Sequence, residues 1–282
     1  MLRERNTVKA LFGSDGNYCE EDTKKYAIII KELQCWKGLT TRDIGGFNQN
    51  SAIVNQGNGK LGVYSLKGIS FLVNKNERFV VLGSASSGRS SLLQNIVGLD
   101  KILSGRVIIE GRCNSEIYKN LSNLHGLIGY QPQQDTIDPE LSVWDHLTYF
   151  ANLAGVCPNV QEERVTQMID KLGLSLVQDV KASDLSQGYR RRLTLAMALI
   201  GRPKIVLLDD PCSGVDPAAT QKVLRTIREE TKDSTLLVCT QIVEVAEALA
   251  DRVAILHEGQ FKAIGSVAEV MQNTGSKFTI EA

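Results

Sequence analysis

The sequence has no apolar run of the roughly 18 to 20 residues that a bilayer span requires. Its longest candidates, Phe79–Leu82 and Ile205–Leu208, are strand-sized. It also lacks an excess of either charge. With 32 basic residues against 32 acidic ones, there is no reason to expect nucleic acid or an anionic membrane surface as the main partner. No C-x-x-C pair occurs; Cys19, Cys35, Cys113, Cys157, Cys212 and Cys239 stand singly, so reduced thiols in a cytosolic setting are expected rather than a metal or disulfide framework. His125, His146 and His257 have no ligand spacing and are assigned no role. The opening MLRERNTVKALFG is charged throughout, without a signal-peptide apolar region. Internal repeats and low-complexity tracts are missing too. These absences predict a chain soluble by itself, with any membrane crossing left to another polypeptide or to a segment outside this sequence.

What is present is a pattern of strands alternating with helices, 43% hydrophobic over 282 residues, enough for one large α/β domain with an appended subdomain. Residues 1–24 read as a frayed, charged lead-in. KYAIIIKELQCW is a β-branched strand, and Thr41 to Lys60, dense in Gly, Asn and Gln, is expected to be a mobile insertion spanning about 38–60. YSLKGISFLV, ERFVVLG and SGRVIIEG continue as strands, and SSLLQNIVGL reads as a helix ending at Gly98. SVWDHLTYFANLAGV starts with a capping-box spacing, Ser142 to Asp145, and VQEERVTQMIDKLGL sets Val165, Met168, Ile169 and Leu172 at helical intervals. KIVLLDD, STLLVCT and DRVAILHEG are further buried strands. This order predicts a mostly parallel sheet covered on both faces, with an inserted helical subdomain.

The stretch GSASSGRS, Gly83 to Ser90, has the spacing of a phosphate-cradling loop, with arginine in the lysine position. It follows the apolar strand FVVLG and precedes a helix, so backbone N–H groups and the positive helix end would face an anion. A plain Gly/Ser turn would satisfy that spacing, so the weight comes from its companions. IVLLDD brings Asp209 to the tip of a buried strand, the usual place for a Mg²⁺ carboxylate. GYQPQQD, DLSQGYRRRLTLAMALI, SGVDP and VCTQ complete the set.

In this order the motifs resemble the nucleotide-binding domain of ATP-binding cassette (ABC) transporters, over roughly residues 27–265. The resemblance implies a P-loop NTPase (RecA-like) core with an antiparallel β subdomain, a helical subdomain at about 134–185 and a C-terminal extension over 266–282, the domain as a whole being 25–265. It implies ATP and Mg²⁺ as cofactors. Gly83, Ser84, Ala85, Ser86, Ser87, Gly88, Arg89, Ser90 and Ser91 would hold the phosphates, with the Ser90 hydroxyl on Mg²⁺. Asp209 matches the metal carboxylate and Gln133 the metal-sensing glutamine. Ser186, Gln187 and Gly188 match the signature loop, which in this family contacts the γ-phosphate held by another copy, and Asp216 matches the loop that speaks across the dimer. Trp36 falls where the family keeps an adenine-stacking aromatic, although a core tryptophan would read the same. Asp210 takes the general-base position and Gln241 the switch-histidine position. The implied partners are a second such domain, head to tail, and transmembrane domains on whose cytoplasmic side it would sit. IGYQPQQDTIDPELSVWDHL and EALADRVAILHEGQFKAIGS look most like the A subfamily, which moves lipids and retinoids, though bacterial drug and polysaccharide exporters share much of the pattern.

Four positions depart from the family pattern. Arg89 replaces a compact ammonium with a planar fork. Asp210 is one methylene shorter than glutamate, and a misplacement of about 1 Å can cost on the order of a hundredfold in rate. Gln241 cannot exchange a proton as histidine does. Gln187 adds bulk where glycine is usual. Together they predict nucleotide binding with slow or absent hydrolysis. The rivals are a non-enzymatic nucleotide sensor and a non-transport ABC ATPase, the latter disfavoured by the absence of a second cassette or a long coiled coil. Arg190, Arg191 and Arg192 are expected to point outward from a helix that buries Tyr189, Leu193, Ala196, Met197 and Ile200. Trp144, Tyr149 and Phe150 are expected in the core.

Overall fold

The computed structural model describes residues 1–12, 24–38, 53–55, 61–113 and 126–274. A six-stranded sheet runs in the order β11 (Gln260–Ser266), β10 (Arg252–His257), β4 (Arg78–Leu82), β9 (Thr235–Thr240), β8 (Ile205–Asp209), β7 (Ile128–Gln131). All its pairings are parallel except that of β11 with β10. Every residue of β8 and β9 is buried, which is why these strands read as continuous apolar runs. A second, antiparallel sheet joins β2 (Ile53–Asn55), β3 (Leu61–Asn74), β1 (Tyr26–Gly38), β5 (Ile102–Ile109) and β6 (Arg112–Cys113).

The two-residue period of the strands divides the interior. Val80, Leu82, Val206 and Leu208 face the helical side, against α3 (Val143–Leu153), α4 (Pro158–Leu172), α5 (Gln187–Leu199), α6 (Pro217–Glu230) and α7 (Val243–Leu249). Phe79, Val81, Leu207 and Leu237 face the antiparallel sheet and α2 (Arg89–Val97), which supplies Leu92, Leu93 and Ile96. Phe71 stacks on Phe79 at 5.4 Å and meets the edge of Phe261 at 5.1 Å. The last helix, α8, is Val267–Thr274. No helix among the described residues is long and apolar enough to cross a membrane.

The helical side follows its sequence cues. Ser142 accepts from the Asp145 N–H and Asp145 reaches back to Ser142, the capping box expected at the start of α3. Val165, Met168, Ile169 and Leu172 of α4 are all buried. His146, given no role above, is also buried: Nε2 accepts from the Asp138 N–H at 3.0 Å, so Nδ1 carries the proton and donates to Ser142 O at 2.7 Å. It fastens the approach to α3.

Three expectations need correction. The lead-in is not frayed over its first twelve residues: α1 (Leu2–Ala10) and Phe12 lay Val8 and Phe12 on Ile29, Leu72 and Ile108 at the outer face of the antiparallel sheet. Glu4 pairs with Arg252 of β10, which also binds Glu77 at 2.8 Å, so the charges that looked solvated find partners supplied from far along the chain. Within the 38–60 insertion, Ile53–Asn55 form a strand on β3; residues 39–52 and 56–60 lie outside the described residues. Of the aromatics on α3, Trp144 and Phe150 pack against the core while Tyr149 is exposed, its ring edge-on to Phe150.

Cys35, Cys212 and Cys239 are buried free thiols, and burial pushes the first two up to about 12 and Cys239 well above its ordinary value. Cys157 is exposed. Iodoacetamide at pH 8 followed by peptide mass spectrometry is expected to label Cys157 readily and these three only after denaturation. Labelling of Cys239 in the folded chain would contradict the closed packing of β9. Cys19 lies outside the described residues.

Candidate functional site

β4 ends against the middle of the sheet and turns through Gly83–Gly88 into α2. The turn has room for nothing but glycine at two points. A Cβ on Gly83 would lie 2.4 Å from Ser87 Oγ and 2.5 Å from Leu256 O. Gly88 has φ +104°, and a Cβ there would lie 2.3 Å from Ser65 O of β3. Ala85 and Ser86 form an exposed rim, and Ser84, Ser90 and Ser91 are half-buried. Ser87 Oγ is buried without a hydrogen-bond partner among the described residues. No side chain caps α2, so its first N–H groups are left open at the positive end of the helix. Such an arrangement could receive an anion.

β8 delivers two aspartates to the same place, and they are treated in opposite ways. Asp209 is 1% exposed, and neither of its carboxylate oxygens has a hydrogen-bond partner among the described residues. Burial raises its pKa, the Asp210 charge adds to the rise, and Ser90, Arg89 and Arg191 pull it back. Asp210, in the left-handed region at φ +49°, is engaged at every polar group. Its N–H donates to Cys239 O at 2.8 Å. Its carboxylate accepts from Arg89 Nη1 at 3.1 Å and the Gln241 N–H at 3.2 Å, and its other oxygen makes an ion-pair contact with Arg89 Nη2 at 3.0 Å. Arg89, 4% exposed, is therefore turned onto Asp210 rather than left free beside the loop.

A bare buried carboxylate fits a hard cation. Ser90 Oγ lies 3.2 Å from Gln133 Oε1, giving two more oxygen donors at the same loop. No cluster of three His, Cys, Asp or Glu side chains able to hold a metal exists among the described residues. The donor set thus suits Mg²⁺, which takes one or two carboxylates plus hydroxyl, water and phosphate oxygens, rather than zinc.

The outward reading of the arginines fails at Arg191, which is 2% exposed. Its Nε donates to Asp210 O at 3.1 Å, Nη1 to Pro132 O at 2.6 Å and Gln133 O at 3.2 Å, and Nη2 to Asp210 O at 3.0 Å and to Asp209 O. One guanidinium ties α5 to both aspartates and to the Gln133 segment. Gln131 of β7 supports it by donating to Arg191 O and Thr194 Oγ1, each at 3.0 Å. Arg190 and Arg192 are half-buried and bond to carbonyls of Ser183, Leu172 and Gly173. Sequence periodicity missed Arg191 because its acceptors, apart from Asp135 Oδ1 at 3.4 Å, are backbone atoms.

The remaining expected residues form a second group. Ser186 caps α5 and Asp216 caps α6, where its carboxylate accepts from the Ala219 N–H at 2.8 Å. Gln187 spends its extra bulk against Gly214, which a Cβ would bring within 3.0 Å of the Gln187 side chain, and Gly188 packs on the same Gly214 carbonyl. No hydrogen bond among the described residues joins Ser186–Gly188 or Asp216 to the phosphate loop, and both loops are exposed. Trp36, half-buried in β1, pairs with Tyr64, next to the Ser65 whose carbonyl abuts Gly88; its indole N–H has no partner among the described residues. The Gln241 side chain is exposed, and only its N–H reaches Asp210.

The architecture is shared with solved proteins. An ATP-binding subunit of an ABC transporter superposes with a TM-score of 0.71 at 22% identity, covering 88% of this chain and 93% of that one. A dimeric bacterial ABC transporter cassette gives 0.71 at 20% identity, covering 85% and 98%. The fold is that of the P-loop ATP-binding cassettes. Residues 66–213 match the ABC transporter family. The human ATP-binding cassette sub-family A member 10 is 34% identical over 265 residues, 94% of this chain and 16% of that protein. The mouse glucosylceramide transporter ABCA12 is 31% identical over 220 residues, 78% of this chain and 8% of that protein. This chain belongs to the ABC transporter family, and within it resembles the A subfamily. It spans from 4% to 22% of the length of such relatives.

Proposed function

We propose that this chain is an ATP-binding cassette that binds Mg·ATP at an interface with a second cassette, to drive or regulate translocation of a substrate of the lipid class, and that its own site hydrolyses nucleotide slowly or not at all. The carrying observation is the unequal treatment of the paired aspartates: Asp209 is left bare for a cation, while Asp210 is neutralised by Arg89. Asp209, Ser90 and Gln133 would hold Mg²⁺, which when bound shields phosphate charge. The loop N–H groups and the start of α2 would hold the β-phosphate. Asp210, with both carboxylate oxygens paired to Arg89 and one also to the Gln241 N–H, is a poor acceptor for the proton of an attacking water.

Head-to-tail pairing is supported by the exposed signature loop and Asp216, which make no hydrogen bond with their own phosphate loop among the described residues and remain available to another's. A groove of about 370 Å³ lined by Tyr130, Phe150, Leu153 and Met197, beside the Gln133 segment, supports docking of membrane domains from the cytoplasmic side. The closed state of Asp210 also favours the reading of a nucleotide-sensing module without turnover.

Calorimetric titration of the chain with ATP is expected to show binding that tightens with Mg²⁺, a dependence that Asp209→Asn removes. Turnover is expected at least about a hundredfold below the ~10 s⁻¹ typical of enzymes, rising in Asp210→Glu combined with Gln241→His. Wild-type turnover at ordinary enzyme rates would sink the impaired-site reading, and Mg²⁺-independent binding would sink the role given to Asp209.

A further inference from the structure

Arg89 and Asp210 depart from the family pattern separately in the sequence, but in the structure they are the two halves of one contact. We propose that this contact is a latch that withdraws the loop cation from the third phosphate, so that the site holds a nucleoside diphosphate and a triphosphate about equally well.

The cation of a phosphate loop ordinarily faces the β- and γ-phosphates. Here the guanidinium meets the Asp210 carboxylate with one hydrogen bond, Nη1 to Oδ1 at 3.1 Å, and a second ion-pair contact, Nη2 to Oδ2 at 3.0 Å, with both side chains almost fully buried. The two terminal nitrogens of arginine reach both carboxylate oxygens, a span that the single ammonium of lysine lacks. The carboxylate half cannot follow the cation outward. The Gln241 N–H holds it at 3.2 Å, Cys239 O and Arg191 hold its main chain, and its backbone already sits at φ +49°. For Arg89 to reach a phosphate, it must leave a buried aspartate with one N–H donor. The other grips of the site, the loop N–H groups and the open end of α2, act at the inner phosphates and do not depend on Arg89. The penalty therefore falls mainly on the γ-phosphate. It is the phosphate count, not nucleotide binding as such, that the latch affects.

This inference rests on the nucleotide site proposed above, and the test separates the two. The full chain is titrated calorimetrically with Mg·ATP and Mg·ADP as wild type, as Asp210→Asn and as Arg89→Lys. The wild-type affinities are expected to agree within about threefold. Asp210→Asn keeps the side-chain shape but removes the charge that holds Arg89. It should tighten ATP by about tenfold, the scale of one hydrogen bond to a charged group, and leave ADP within about threefold. Arg89→Lys should move the ratio in the same direction by a different route, which guards against a poorly folded Asp210→Asn. A bridge that only supported the fold would weaken both nucleotides together. A wild-type preference for ATP above about tenfold, or an unchanged ratio in both variants while both nucleotides bind, overturns the latch and leaves the nucleotide site standing. Failure of either nucleotide to bind any of the three proteins overturns both.

Discussion

Arg191→Ala is expected to lower the melting temperature by about 10 °C, the largest effect of any single substitution at the site. Truncation takes the side-chain donor from the carbonyls of Pro132 and Asp209, each costing about 1–3 kcal/mol when left without one, while Asp210 O keeps the Ser213 N–H at 3.0 Å. Water entering the vacated space recovers part, leaving about 3 kcal/mol, and a domain of this size loses about 2–4 °C per kcal/mol. Arg191→Lys should recover less than half, because an ammonium cannot span acceptors on two separate segments. Differential scanning calorimetry reads the shift. A fall under about 3 °C would mean that the aspartate turn and the Gln133 segment are held in place by something other than this guanidinium.

The second large effect is expected at Glu230. Its side chain, 4% exposed at the end of α6, accepts from Arg164 at 2.6 Å and Lys171 at 2.5 Å, binding α6 to α4. Arg164 also donates to the carbonyls of Leu199 and Ile200 at 3.0 Å each, so the end of α5 joins the same node. Removing one partner of a buried pair typically costs about 3–5 kcal/mol. Burial by itself would raise the Glu230 pKa, but the bonds from Arg164 and Lys171 outweigh it and hold the carboxyl below its ordinary value. A depressed acid stabilises the fold above its unfolded pKa and stops doing so as pH falls through the folded one. Glu230→Gln should therefore melt well below wild type at pH 7. The gap should close as pH drops below the ordinary glutamate value of 4.5, where wild type loses the same charge. A gap that stays constant from pH 7 to about 3.5 would assign the loss to shape rather than charge.

Much of this was legible in the residues. Ser142 and Asp145 announce the start of α3, Val165 and Met168 turn inward as their spacing requires, and the runs in β8 and β9 are apolar because both of their faces are covered. The loop glycines and Asp209 could be found because steric exclusion and a strand-tip carboxylate leave local signatures. What could not be read were contacts whose second half is remote or is backbone. α5 is packed on nearly all sides from Leu193 to Ile200, so a one-faced helix pattern misjudges it, and the carbonyls that satisfy Arg191 carry no side-chain signal. The same holds for α1. It read as frayed because Arg252, the partner of Glu4, lies at the other end of the sequence. Arg89 and Asp210 could each be flagged as unusual, yet only the fold reveals that one oddity answers the other.

The position of β4 between β9 and β10 has a consequence for the order in which the protein is made. Both neighbours of that strand emerge from the ribosome long after it does, so during synthesis one edge stays unsatisfied until Thr240 has appeared and the other until β10 has followed. Early fragments can complete the outer antiparallel ribbon of β1, β3 and β5, but they cannot assemble the cradle that β4 presents. A product truncated before β10 leaves one edge of that strand exposed to quality control, and one truncated before β9 leaves both.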